Sequence, residues 1–381
     1  MTYLFEVEEH AQLRANVRRF AERHIQPHAH AWDEACEFPR ELYGEAARAG
    51  LLGISYPTED GGAGGDITHA LVAGEEMILA GHSVGTTVGL GSHGIALPPI
   101  VRAGTAEQKE RFIAPVLRGE KIAALAITEP NGGSDVAALK TKAKKDGDFY
   151  VVSGAKTFIT SGCRADFVTT AVRTGGEGHG GISLLVIEKG MPGFTVSKKL
   201  AKTGWWASDT AELSFDECRV PVKNLIGEEN QGFYAIMMNF VTERLALAGQ
   251  CVAIAELAYR ESVKYARERQ AFGKTLVAFQ VTRHKLADMA TRIAAARALV
   301  GESIQRAMRD DPKIAGLAAM AKNSATDMCS FVCDQAVQIH GGNGYMREYL
   351  VERLYRDARL YPIGGGTREI MNEIISKMEG Y

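Results

Sequence analysis

The chain has 381 residues, of which 46% are hydrophobic and 24% charged, and its net charge is -2. That length supports a large core without disulfide or metal staples, and the near-neutral balance excludes a general affinity for nucleic acid or an anionic membrane. None of the six cysteines forms a CxxC pair, and Cys329 and Cys333 share a helix face, which reads as buried thiols in a reducing compartment.

The first third reads helical. In "EEHAQLRANVRRFAERHI", Ala11, Leu13, Val17, Phe20 and Ala21 fall on one side, as an amphipathic helix requires. The N-terminus has no basic segment leading into an apolar stretch, and no run of about 18 apolar residues occurs. Neither a secretory leader nor a membrane span is expected, and a cytoplasmic location is. Thr105 opens "TAEQKERF" as a helix cap. "GLGSHG", Gly89 to Gly94, matches G-x-G-x-x-G. A dinucleotide fingerprint must open a helix, and Pro98 and Pro99 follow too soon for that. A small-residue cavity wall is the preferred reading.

"ITEPNGGSD", Ile127 to Asp135, stands where helix gives way to strand. It reads as a tight turn, or as a cradle whose glycine-exposed amides meet a phosphate or a polar ring edge. "DFYVVSGAKTFITSG", "ADFVTTAVRT", "GISLLVIEK" and "TAELSFDECRVP" then follow at short intervals. Their aromatic and β-branched content predicts an antiparallel sheet or small barrel.

After Glu228 long alanine-rich helical patterns return, as in a bundle. "RERQAFGK" and "QIHGGNGY" end two of them in glycine, and "LYPIGGGTREI" carries three glycines in a row. Each is a helix terminus or a place where a ligand nears the backbone. Glu243 sits mid-helix in "FVTERLALAG" on one face with Phe240, Ala246 and Leu247. Desolvation there raises a carboxyl pKa towards that of a useful base, whereas the bland reading is a buried ion pair. No P-loop, H-E-x-x-H or G-x-S-x-G motif occurs, and no metal site is predicted.

"TEPNGGSD", "FITSG", "RQAFGK", "QIHGGNGY" and "GGGTREI", in that order over nearly the whole chain, resemble the acyl-CoA dehydrogenase family. The resemblance implies a multidomain α+β fold. An N-terminal α-helical domain (1–121), a middle antiparallel β-barrel-like domain (122–226) and a C-terminal four-helix bundle (227–381) are expected. It implies FAD, an acyl-CoA substrate oxidised between its α and β carbons, and an electron-transferring flavoprotein as acceptor. The FAD contacts it implies begin with Leu125, Ile127, Thr128, Gly133 and Ser134, followed by Phe158 and Thr160. Many relatives have Trp where Phe158 stands. Phe272 is a further implied FAD contact, and Arg269, Phe279, Gln280, Gln338, Ile339, Gly341 and Gly342 are expected from a neighbouring subunit of a homotetramer, a dimer of dimers. Thr367 and Glu369 complete the set.

Ser134, Val241, Arg244, Gly91, Gly365 and Gly366 are the implied substrate contacts. Many relatives carry the catalytic base at the position Gly365 holds here. The isovaleryl and long-chain branches carry it in an "ERL" context on the bundle helix, which assigns it to Glu243. Gly89, Gly91, Gly94, Gly364 and Gly365 imply a roomy cavity and a longer or branched acyl chain. An oxidase or another flavin enzyme on the same fold is the alternative. A non-catalytic, flavin-containing DNA-binding relative predicts a basic face that the composition lacks.

Overall fold

The computed structural model describes residues 2–381. Among the described residues nine helices come first: α1 (Glu8–His24), α2 (Ala29–Ala35), α3 (Glu41–Arg48), α4 (Ile67–Gly81), α5 (Val84–Leu90), α6 (His93–Ala96), α7 (Pro98–Ala103), α8 (Ala106–Phe112) and α9 (Ala114–Leu117). Thr105 caps α8 by accepting the Gln108 amide on its hydroxyl, and the Thr105 amide donates in return to Gln108 Oε1. "GLGSHG" lies at the end of α5 and in α6, with no strand before it. A dinucleotide fingerprint is therefore absent there.

The middle segment forms β1 (Ala123–Ala126), β2 (Lys142–Asp146), β3 (Phe149–Thr160), β4 (Phe167–Arg173), β5 (Ile182–Glu188), β6 (Phe194–Lys199), β7 (Thr210–Pro221) and β8 (Leu225–Ile226). Their order is β6-β7-β3-β2-β4-β5-β8, and β1 pairs parallel with β4. The expected barrel-like closure does not occur. The sheet is open, with β6 and β8 at its edges, and mixed rather than purely antiparallel. β4 and β5 are buried along almost their whole length, as strands covered on both faces are.

The C-terminal segment holds three long helices, α10 (Gly232–Glu268), α11 (Gln280–Ala307) and α12 (Ile314–His340), which pack on one another. A two-stranded hairpin, β9 (Gln270–Ala271) with β10 (Lys274–Thr275), joins the first two. The shorter α13 (Leu350–Ala358) and α14 (Arg368–Glu379) pack on α12. The expected four-helix bundle is thus three long helices with two short ones laid against the third. Cys251, Cys329 and Cys333 are buried in this core, and all six cysteines are free thiols. Among the described residues no helix is long and apolar enough to cross a membrane.

Helix α10 also packs against α4. A Cβ at Gly249 would lie 2.1 Å from Leu71 Cδ1, so glycine sets how close the two helices come. A buried ion network fastens the same contact. Arg297 of α11 reaches Glu75 of α4 at 3.3 Å and Glu256 of α10 at 2.6 Å, and Arg14 of α1 reaches Glu75 at 3.1 Å. The Tyr3 hydroxyl donates to Glu75 as well. Removing one member of a buried network strands its partners' charge, at a cost of about 3 kcal/mol or more. Arg297→Met should therefore lower the thermal unfolding midpoint clearly. An unchanged midpoint would show that the network adds nothing to stability.

Candidate active site

The expected flavin-facing turn follows β1. Leu125 and Ile127 join an apolar cluster with Phe233, Met237 and Phe240 of α10, so the start of the turn and the first half of that helix share one core. The Thr157 amide donates to the Thr128 carbonyl at 2.9 Å, which ties the turn to β3. A bulge in β3 between Lys156 and Ile159 breaks the strand alternation. Lys156, Thr157 and Ile159 are buried, and Phe158, at φ +60°, is thrown outward with 68% of its surface exposed. Thr160 is half-buried beside it.

Two residues absent from the sequence reading hold this arrangement. The Lys156 side chain is fully buried. Its Nζ donates to the Ile127 carbonyl at 2.8 Å and pairs with Glu129 Oε1 at 2.9 Å. The Glu129 carboxylate also accepts the amides of Lys140 (2.6 Å) and Thr141 (2.8 Å). Burial pulls the Lys156 pKa down to about 8, and the Glu129 carboxylate opposes that shift. Strand parity carried the signal, because Lys156 is in phase with the buried Tyr150 and Val152.

Around Glu243 the structure gathers Arg244, Leu247, Lys322, Gly365 and Gly366. The residue as a whole is half-buried, but its Oε2 is shut off from solvent and makes no hydrogen bond. Desolvation raises its pKa to about 6, against the opposing charges of Arg244 and Lys322. The expected desolvated carboxylate is present, and the bland alternative fails: no salt bridge within 4 Å engages Glu243 among the described residues. A Cβ at Gly365 would lie 3.6 Å from Glu243 Oε1 and 2.6 Å from Leu247 Cδ1. Gly365 and Gly366 have φ +67° and +95°, which favours glycine at both positions. Val241 is half-buried two residues before the glutamate.

The remaining expected residues lie elsewhere. Phe272 tips the β9–β10 hairpin, 96% exposed, and meets Phe279 edge-on at 6.3 Å. Arg269 and Gln280 are exposed nearby. Gln338, Gly341 and Gly342 are exposed at the end of α12, and a Cβ at either glycine would meet nothing within 4 Å. Ile339 is buried, and its neighbour His340 stacks on Tyr265 of α10. From Glu243 to Tyr265 α10 runs about 33 Å at 1.5 Å per residue. These contacts therefore sit at the far end of that helix from Glu243. Thr367 caps α14 through the Ile370 amide, and Glu369 is exposed in its first turn.

The glycines of the expected cavity divide. A Cβ at Gly89 would lie 2.5 Å from the Phe38 ring, so that space is already filled. Gly91 is exposed with Thr87 O nearest at 3.2 Å, and Gly94 has open space around it. Among the described residues no group of three or more His, Cys, Asp or Glu side chains could hold a metal ion.

Family models for the N-terminal, middle and C-terminal domains of acyl-CoA dehydrogenases match residues 7–120, 124–218 and 230–379. The long-chain specific mitochondrial acyl-CoA dehydrogenase of Rattus norvegicus is 41% identical over 374 residues, 97% of this chain and 86% of that one. A short-chain specific acyl-CoA dehydrogenase of Clostridium acetobutylicum is 40% identical over 371 residues, 97% of each chain. The crystal structure of a probable acyl CoA dehydrogenase from Mycobacterium abscessus matches with a TM-score of 0.97 at 50% identity, covering 98% of this chain and 99% of that one. Fold and relatives together define an oxidoreductase acting on CH–CH bonds. The chain belongs to the acyl-CoA dehydrogenase family.

Membership implies FAD as cofactor. The residues present fit a planar, partly polar group. Phe158 offers an exposed aromatic face, Thr128 and Thr160 offer hydroxyls, and Gly132 leaves open space. Lys156→Met would leave Glu129 buried without its cation, at a cost of about 3–5 kcal/mol. The purified variant should carry less flavin per chain than wild type, read from its absorbance spectrum. A full complement would show that the clamp does not shape the flavin site.

Proposed function

We propose that this protein is an FAD-dependent acyl-CoA dehydrogenase in which Glu243 removes the α-proton of an acyl-CoA to give a trans-2-enoyl-CoA. The observation that carries this reading is the Glu243 carboxyl, whose buried Oε2 lacks a hydrogen-bond partner and whose Oε1 faces the glycine loop. A native chain rarely leaves a buried polar atom unsatisfied without a purpose. With a pKa of about 6, the group is ionised near neutrality yet basic enough to take a proton from a thioester-activated carbon. When bound, FAD accepts the hydride from the β carbon.

Thr128, Gly133, Ser134, Phe158 and Thr160, with Leu125 and Ile127 beneath them, hold the flavin ring and its phosphates. Ser134, Val241, Arg244, Gly91, Gly365 and Gly366 line the path of the acyl-CoA. Arg269, Phe272, Phe279, Gln280 and Gln338 to Gly342 serve the FAD of a neighbouring subunit. The length of α10 supports that assignment, because it separates them from Glu243 of their own chain. Their exposed glycines and the bare Phe272 ring suit a surface that another chain covers, in a tetramer built as two dimers. Thr367 and Glu369 complete the flavin contacts from the start of α14. An electron-transferring flavoprotein takes the electrons onward.

The acyl chain is longer or branched. The named long-chain relative supports this choice. The loop glycines do not, since a Cβ at Gly365 would lie 2.6 Å from Leu247 Cδ1 and one at Gly366 2.7 Å from Met371 Cε, and the short-chain relative supplies the competing outcome.

Glu243→Gln should slow single-turnover flavin reduction by acyl-CoA by about 10²–10⁴-fold. Retention of the wild-type rate would remove Glu243 from the role. The folded pKa is raised, so the group is protonated below about pH 6 and ionised above it. The rate of reduction should accordingly climb with pH through about 6. A panel of acyl-CoA esters decides the chain length.

A further inference from the structure

Lys322 lies a third of the way along α12 and is 1% exposed. Its Nζ donates to the Gly364 carbonyl at 2.6 Å and also to the Gly366 carbonyl. Arg244 donates to the carbonyl between them, Gly365 O, through a long 3.5 Å bond from Nε. Three consecutive loop carbonyls are therefore turned inward onto two cations of the bundle. The left-handed φ values at Gly365 and Gly366 permit that inward turn.

No carboxylate lies within 4 Å of the Lys322 ammonium among the described residues. A buried lysine held by neutral carbonyls is expensive, and an apolar residue of similar length would suit the surrounding alanines and cysteines better. The charge therefore calls for a use, and its position supplies one. A Cβ at Gly365 would lie 3.9 Å from Lys322 Cε and 3.6 Å from Glu243 Oε1, so the loop touches both groups. The charged groups acting on Glu243 are Arg244 on its own helix and Lys322 from α12. Cys251 of α10 faces Lys322 in turn.

We propose that Lys322 is a positioning residue for the α-proton step. Its ammonium pins the carbonyls on either side of Gly365, fixing the loop opposite Glu243, and supplies one of the two cations that face that carboxylate. This rests on the reading of Glu243 as the base. Burial brings the Lys322 pKa down to about 8, so the cation is present over the range in which Glu243 ionises.

The test uses the flavin-loaded protein with Lys322→Met, Lys322→Gln and Lys322→Arg, beside Glu243→Gln. Two quantities are read: the pH profile of single-turnover flavin reduction, and substrate-free amide hydrogen exchange over residues 362–368. Loss of the cation should move the rising limb of the Met and Gln variants upward by about one pH unit. Exchange in the loop should quicken about tenfold or more in those variants. Lys322→Arg, which keeps the charge, should leave the limb near its wild-type position. A limb that stays at the wild-type pH in both neutral variants, or loop exchange that stays at the wild-type rate, overturns the proposal. If Lys322→Met does not fold, Lys322→Gln and Lys322→Arg carry the comparison. Wild-type flavin reduction by Glu243→Gln would instead show that the base assignment had failed.

Discussion

A carboxylate held out of water with no hydrogen-bond partner is the constraint around which this site is arranged. Glu243 Oε2 is in that state, and burial pushes the group towards its protonated form. Arg244 and Lys322 hold the shift to about 6. Those cations are themselves buried and need acceptors. The carbonyls of Gly364, Gly365 and Gly366 provide them, and only a glycine-rich backbone turns three successive carbonyls inward so easily. The loop, the cations and the carboxylate thus depend on one another. A glutamate on the loop at 365 would need left-handed backbone and a displaced Leu247.

The other wall of the site uses the same device. Lys156 is buried, donates to a backbone carbonyl, and fixes the turn after β1 against β3. The β3 bulge beside it turns Phe158 outward. In both places a buried lysine organises irregular backbone that no strand or helix ladder could hold. Helix α10 links the two walls, since Phe233, Met237 and Phe240 share an apolar cluster with Leu125 and Ile127 and Glu243 follows in the next turn of the helix.

Much of this was legible in the chain. The helical, strand and helical thirds follow from hydrophobic period, and Thr105, the "ITEPNGGSD" turn and the mid-helix Glu243 were visible as local signals. The closure of the sheet was not, because strand spacing says nothing about whether edge strands meet. Gly89 was misread as cavity wall, since only the structure shows the Phe38 ring filling that space. Lys156 and Lys322 were passed over although their phase marked them. Lys322 shares its face with the buried Ala318, Ala325 and Cys329, yet a single lysine on an alanine-rich helix resembles an ordinary solvated charge.

The order of elements, the family and the candidate carboxylate can be read from the linear chain, because they depend on local pattern and on motifs of consecutive residues. The tertiary structure alone decided that Glu243 lacks a partner, that its pKa rests on two cations, and that those cations are held by one glycine loop. Charge–charge and desolvation energies depend on separations and burial in space. Glu243, Lys322 and Gly365 are far apart along the chain, and only folding brings them together.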